Sequence, residues 1–248
     1  MAKINLSKYP TVAPKNLSKE KIKKETKELV KKIGELEKII YAERKHSVLI
    51  ILQGMDASGK DGAARNVFAN CNALSLDSYC FRKPTEEEFS HDFLWRVHKQ
   101  TPAKGHTKIF IRSHYEDILI QAVHGWIDAD RVRKRMDAIN AFEELIQFDN
   151  NTTILKFYLH ISPERQLEKL EERKVNPEKH WKYNPQDFEE RKLWDKYMER
   201  YEYAFNNSTI PWHIIPCDQR WYRDYCIAKI VLERLKSLKP KFPPLKDE

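Results

Sequence analysis

The chain has 248 residues, 41% hydrophobic and 33% charged, which suits one large globular domain and excludes a disordered chain. No run approaches the roughly 18 apolar residues of a membrane span, and residues 1–10 lack a signal-peptide apolar core, so a cytoplasmic protein without membrane contacts is expected. The net charge of +8 is concentrated in residues 1–45, which hold thirteen Lys or Arg against six Glu; the rest is nearly neutral, and the charge total gives no argument for nucleic acid.

Residues 1–17 read as an extended arm. From Ser18 to about Arg44, the apolar residues Ile22, Leu29, Ile33, Leu36 and Ile40 recur at helical spacing. The lysines fall on the outer face of this helix, which either packs on the body or attracts a polyanion. Val48 to Leu52 is a continuous apolar run, expected to be a strand buried on both faces. Further short runs are Tyr79 to Phe81, Lys108 to Ile111, Thr153 to Leu159 and Trp212 to Ile215. Helical stretches separate them: Gly62 to Asn70, Ser113 to Trp126, Asp137 to Phe148, Pro163 to Arg173, Gln186 to Asn206 and Trp221 to Leu238. This alternation predicts an α/β fold, a parallel sheet covered by helices, followed by the Pro-rich tail 239–248. The four cysteines lack zinc spacing and read as free, mostly buried thiols.

Three of the six glycines fall within nine residues. Gly54-Met55-Asp56-Ala57-Ser58-Gly59-Lys60 matches GxxxxGK between a predicted strand and a predicted helix, the context a phosphate loop requires. Glycines let backbone N–H groups turn around a phosphate, the helix N-terminus adds about half a positive charge, and Lys60 adds a full one. Asp61 stands where Ser or Thr usually contacts magnesium, and Asp56 places a second carboxylate in the loop. Magnesium ligation by one or both is expected, although Asp61 also suits the first turn of a helix.

After the Lys108–Ile111 run comes Arg112-Ser113-His114-Tyr115-Glu116-Asp117, at a strand end where parallel sheets bind ligands. Arg112 is a candidate for phosphoryl contacts, and Glu116 and Asp117 for metal; Ser113-x-x-Glu116 also matches a capping box. Arg173 to Pro185, bounded by prolines and carrying Lys179 and Lys182, reads as a lid that closes over phosphates. Arg65 and Lys83 are further basic candidates.

These residues resemble the polyphosphate kinase 2 family over about residues 18–238. The matching segments are LQGMDASGKDG (Leu52 to Gly62), FRKPTEEEFSHDFLWRVHKQTPAKG (Phe81 to Gly105), RSHYED (Arg112 to Asp117), INAFE (Ile139 to Glu143), ILKFYLHIS (Ile154 to Ser162), PEKHWKYNPQDFEERKLWDKYM (Pro177 to Met198) and WYRDYCIAKIVLE (Trp221 to Glu233). The resemblance implies a three-layer α/β/α P-loop kinase-like fold with a helical lid near residues 173–192. It implies reversible, Mg²⁺-dependent phosphoryl transfer between inorganic polyphosphate and AMP, ADP or ATP, by a homo-oligomer. It makes Asp56 and Lys60 the essential loop pair, with Arg112, Glu116 and Asp117 beside them. Around these, Gly54 to Asp61, Arg65, Lys83, His114, Tyr115, Arg173, Lys179, Lys182 and Arg191 form the binding set. The family usually carries Asp or Asn before the RS pair; this chain has Ile111, which removes one polar, metal-facing group. The alternatives are an ATP-dependent nucleoside or nucleotide kinase, and a non-catalytic polyanion- or RNA-binding protein with a relic loop.

Overall fold

The computed structural model describes residues 3–245; the outermost residues of the expected arm and tail, 1–2 and 246–248, lie outside it. Helix α1 (Lys19–Glu43) begins at Ser18, whose hydroxyl accepts from the Lys21 N–H, and turns its Ile22, Val30, Ile33 and Ile40 inward while its lysines stay exposed. It leads into β1 (Ser47–Gln53), buried at all seven positions as its unbroken apolar run requires. Then follow α2 (Lys60–Val67), β2 (Leu76–Cys80), α3 (Glu86–Ser90), α4 (Trp95–His98) and β3 (Thr107–Ile111). A 3₁₀ turn at His114–Asp117 precedes α5 (Ile120–Val123), α6 (Ala129–Asn150), β4 (Thr152–His160) and α7 (Pro163–Val175). A second 3₁₀ turn, Pro177–Lys182, precedes α8 (Gln186–Arg191), α9 (Trp194–Asn207), β5 (Trp212–Pro216) and α10 (Arg220–Ser237).

All five strands are parallel, in the order β2-β3-β1-β4-β5. The chain therefore leaves β1 toward one edge and later returns to its other side at β4, so β1 marks the point where the strand order reverses. The phosphate loop leaves the C-terminal end of β1, and Arg112 leaves the same end of its neighbour β3; Leu52 pairs with Ile111 in register. Helices α1 and α2 both pack on α10. Lys156 and Tyr158, alternate residues of β4, reach Glu143 of α6 and Met198 of α9, so these helices cover the other face. The result is a three-layer α/β/α sandwich with one continuous hydrophobic cluster from Leu6 to Leu235.

The N-terminal arm is strapped down. Leu6 is buried in a 3₁₀ turn (Leu6–Lys8), its N–H bonded to Glu202 of α9 at 2.7 Å, and Thr11 Oγ1 donates to Asp218 at 2.8 Å beyond β5. The expected helix over Ser113–Trp126 is instead a 3₁₀ turn and the short α5. Tyr115, Asp117, Ile118 and Leu119 are all buried, so tertiary burial bends the backbone away from a 3.6-residue period. The expected helix Gln186–Asn206 breaks at Leu193 (φ −95°, ψ 19°), and α6 starts eight residues early because its exposed first turns carry charge and no apolar period. Residues 83–105, between the second and third strand runs, hold α3 and α4, for which no helix was expected; Thr85 and Glu88 form a capping box. All four cysteines are free, but only Cys217 is fully buried and Cys80 is exposed. No helix among the described residues is long and apolar enough to cross a membrane.

Candidate active site

Gly54 and Gly59 carry φ of +148° and +93°, and Ala57 between them +63°, which winds the loop into an anion-binding nest at the start of α2. Side chains would also collide there. A Cβ on Gly54 would stand 2.8 Å from the Leu159 carbonyl oxygen, and one on Gly59 2.3 Å from the Arg223 guanidinium. Lys60 curls back over the loop, its Nζ donating to the carbonyls of Gly54 (2.6 Å) and Met55 (3.1 Å). From behind, α10 props the loop. Arg223, 2% exposed, donates through Nη1 to the Gly59 carbonyl at 3.1 Å, and through Nε and Nη2 to Asp224 Oδ1 at 2.8 and 2.6 Å. Asp224 in turn accepts from Asn66 of α2 at 2.8 Å.

Arg112 extends the β1–β3 ladder by one bond, its N–H reaching the Leu52 carbonyl at 3.0 Å. Its φ of +58° is unusual for a residue with a Cβ, a conformation of order 1–3 kcal/mol in cost that the surrounding contacts maintain. That backbone sends its guanidinium into an ion pair with Asp56 across the cleft. Burial alone would push Asp56 up, but Arg112, Lys60 and Arg173 outweigh it and hold the carboxyl below its usual range. Burial lowers Lys60, with Asp56 and Glu116 opposing, while Asp56 raises Arg112. Glu116 accepts from Gln53 Nε2 at 3.2 Å. Ser113 caps the 3₁₀ turn through Tyr115 N–H, but Glu116 does not close the capping box and is free to face the cleft.

The segment 176–191 covers this loop. Lys182 pairs with Asp61 at 2.9 Å, Arg173 Nη1 donates to Asp187 (2.6 Å) and to the Lys182 carbonyl (3.1 Å), and Arg191 Nη1 donates to Gln166 at 3.3 Å. Gln166 Nε2 donates to the Asp56 carbonyl at 3.1 Å, which joins α7 to the loop. Burial and the nearby Asp56 raise Asp187, with Arg173 opposing.

The cleft thus gathers Asp56, Asp61, Lys60, Arg112, Glu116, Arg173, Lys182 and Arg191. Other expected residues lie elsewhere. His114 is fully buried against Glu143 (3.2 Å), and Tyr115 donates to the same carboxylate at 3.0 Å. Lys156 donates to Glu143 Oε2 and Tyr115 Oη, each at 2.7 Å, closing a polar network beneath the sheet end. Asp117 faces Arg96 (3.5 Å) and accepts from Gln121 (2.8 Å); burial pushes it up to about 6, with Arg96 and Arg135 opposing. Lys179 pairs with Glu172 on α7 instead of reaching the loop. Arg65 and Lys83 are exposed and make no ion pair among the described residues. Met55 packs into the core. No three Asp, Glu, His or Cys side chains among the described residues form a metal cage, so the four expected acidic ligands do not act as one cluster. Magnesium, however, usually takes one or two carboxylates together with substrate phosphates and water. Two buried oxygens without a hydrogen-bond partner, Gln53 Oε1 and Ser58 Oγ, lie at the strand end and in the loop beside Asp56 and Glu116, and this donor set fits such an ion. Ile111 packs against the core and adds no donor.

Gln53, Gln166, Asp187, Arg223 and Asp224 were not expected in the site. The last two had a signal: a charged pair beginning the buried stripe of α10 (Ile227, Ala228, Val231, Leu232) must find partners inside.

A phosphate loop at the strand-order switch of a parallel sheet, faced by an arginine and a lid-like segment, defines a phosphoryl-transfer enzyme of the P-loop kinase type. The family model for polyphosphate kinase 2 matches residues 16–243. An AMP/ADP-polyphosphate phosphotransferase of Meiothermus ruber is 44% identical over 218 residues, 87% of this chain and 81% of that one. An ADP-polyphosphate phosphotransferase of Rhodopseudomonas palustris is 35% identical, covering 97% and 89%. The crystal structure of polyphosphate kinase 2 from Arthrobacter aurescens superposes with a TM-score of 0.96 at 35% identity, over 100% of this chain and 90% of that one. The chain belongs to the polyphosphate kinase 2 family.

Proposed function

We propose that the protein transfers the terminal phosphoryl group of inorganic polyphosphate to ADP, and to AMP, reversibly and with Mg²⁺. The observation that carries this reading is the convergence of Lys60, Arg112 and Arg173 on Asp56 over a phosphate loop, supported by the substrates named for the relatives. Donor and acceptor are both polyanions. The acceptor's terminal phosphate is largely dianionic near neutral pH, since its second pKa is about 6, so little general-base help is needed. What the reaction needs is cation density and in-line alignment. An acceptor phosphate oxygen attacks the terminal phosphorus; a P–O bond forms, the bond to the penultimate phosphate breaks, and the chain leaves one unit shorter. Lys60 and Arg112 neutralise charge on the transferring group, the loop N–H groups hold the donor end, and residues 176–191 exclude water. Asp56 orients Arg112 and holds it charged. Asp56 and Glu116, with Gln53 Oε1 and Ser58 Oγ, would hold the magnesium ion, which when bound would neutralise phosphate oxygens.

The test is ATP formation from ADP with polyphosphate as sole donor, in the presence and absence of Mg²⁺. Transfer from polyphosphate supports the reading. ATP-dependent phosphorylation of a nucleoside with no use of polyphosphate would replace it with the nucleotide-kinase alternative.

A further inference from the structure

Within the segment that covers the phosphate loop, α8 is held by two adjacent residues that point in different directions. Arg191 Nη1 donates to the Pro163 carbonyl at 3.0 Å and to Gln166 at 3.3 Å, both on α7. The Glu190 carboxylate instead accepts from three side chains: Gln186 Nε2 one turn earlier on α8 (3.0 Å), Tyr197 Oη on α9 (2.7 Å) and His124 Nε2 at the end of α5 (3.0 Å). A carboxylate only accepts, so His124 carries a proton on Nε2. Tyr197 is buried, and the side chains of Glu190 and His124 are 14% and 24% exposed. Trp126 stacks on the His124 ring, with centroids 4.9 Å apart and planes at 19°, and fixes the plane from which it donates. Burial works against the charge on Glu190, but Tyr197, Gln186 and His124 outweigh it and hold the carboxyl below its usual range.

In the sheet, β3 and β4 flank β1 on its two sides. Helix α5 follows the 3₁₀ turn that leaves β3, and α7 follows β4 directly. Glu190 and Arg191 therefore tie one short helix to elements on both sides of the strand whose end carries the phosphate loop. The Arg191 side reaches the loop itself, through the bond from Gln166 to the Asp56 carbonyl. The Glu190 side is an open seam, with a cleft of about 320 Å³ between residues 122–125 and Lys196, Glu199 and Arg200 of α9. Hydrogen bonds to one carboxylate take the place of apolar packing there, and such a network weakens as a unit when one member is lost.

Resting on the function proposed above, we infer that Glu190, His124 and Tyr197 form a clasp of positioning residues that keeps α8 over the phosphate loop and directs the phosphoryl group to the nucleotide rather than to water. With the clasp opened, water reaches the loop. A water oxygen then attacks the terminal phosphorus of polyphosphate, and the bond to the penultimate phosphate breaks. Orthophosphate leaves, the second water proton passing to the shortened chain. Phosphate release grows at the expense of transfer.

The experiment compares full-length wild type with Glu190→Gln and His124→Ala, and with Glu189→Gln, an exposed neighbour on the same helix, as a control. ATP formed from ADP and polyphosphate, and orthophosphate released, are measured in the same reactions. Each clasp variant is expected to raise the ratio of orthophosphate to ATP about tenfold, and the double variant to raise it little further. His124→Gln, which keeps a donor facing Glu190, is expected to restore most of the wild-type ratio, and the control to leave it unchanged. A wild-type ratio in the clasp variants, whether both rates fall together or neither changes, would overturn the clasp, as would multiplying effects in the double variant. Amide hydrogen exchange over residues 183–193 reads the clasp without turnover, and is expected to be about tenfold faster in both clasp variants and unchanged in the control. Should wild type transfer nothing from polyphosphate, the functional reading fails, and the exchange rates decide the clasp separately: equal rates in all proteins would remove it.

Discussion

Residues 112–117 serve two environments at once. Arg112 and Glu116 point into the cleft, where Arg112 meets Asp56 and Glu116 meets Gln53. His114, Tyr115 and Asp117, interleaved with them, are buried and answered by Glu143, Lys156, Arg96 and Gln121. The cleft half keeps strong charges near solvent and leaves oxygens such as Gln53 Oε1 and Ser58 Oγ unpartnered. The interior half pairs its full charges, Glu143 with Lys156 and Asp117 with Arg96, although His114 Nδ1 and Asp117 Oδ2 there also lack a hydrogen-bond partner. What separates the halves is access: strong charges beside a phosphate loop mark a place for a ligand, whereas charges paired in the interior mark a support that fixes where Arg112 stands.

Substitutions on the two sides separate these roles. The largest effect is expected in the cleft: Lys60→Ala or Arg112→Ala loses about 10³-fold or more in kcat, roughly 4 kcal/mol, with an unchanged circular dichroism spectrum. Normal turnover by either variant would remove it from the reaction. In the interior, Lys156→Met strands the Glu143 carboxylate and is expected to cost about 3–5 kcal/mol of stability by urea unfolding. The double variant Lys156→Met, Glu143→Leu recovers most of that loss. If the single variant were as stable as wild type, the network would not be the support described.

Asp117→Asn sharpens the contrast further, because Asp117 carries a charge yet lies on the interior side. Its activity is expected to stay within about threefold of wild type, against the large loss at Arg112. Its folded pKa is raised from 3.8 to about 6, chiefly by burial, so the wild-type carboxyl contributes its stability below pH 4 and loses it as pH rises through 6. The Tm of Asp117→Asn relative to wild type is therefore expected to be higher at pH 8 than at pH 4. A difference of the opposite sign would mean that Arg96 dominates. The smallest effect is expected at the rim: Lys182 and Asp61 are 36% and 60% exposed, and Lys182→Ala is expected to change stability by about 0.2–1 kcal/mol, fading in high salt.

Much of this was legible in the amino-acid order. The β1, β3, β4 and β5 runs and the GxxxxGK loop landed where local pattern put them, because a buried parallel strand is apolar and a phosphate nest demands glycine at specific φ values; β2 begins three residues before the Tyr79–Phe81 run because its exposed Asp77 and Ser78 break the apolar pattern. Lys60, Asp56 and Arg112 were readable for the same reason: each lies within a few residues of a strand end. What local pattern could not decide was orientation within an irregular segment. In a 3₁₀ turn, consecutive residues lie about 120° apart, so His114, Tyr115, Glu116 and Asp117 differ in role by which neighbour each meets, and those neighbours come from β1, α4, α5, α6 and β4. The same holds for Arg223, which props the loop at Gly59 from α10, 164 residues further along the chain, so that only three-dimensional packing brings the two together.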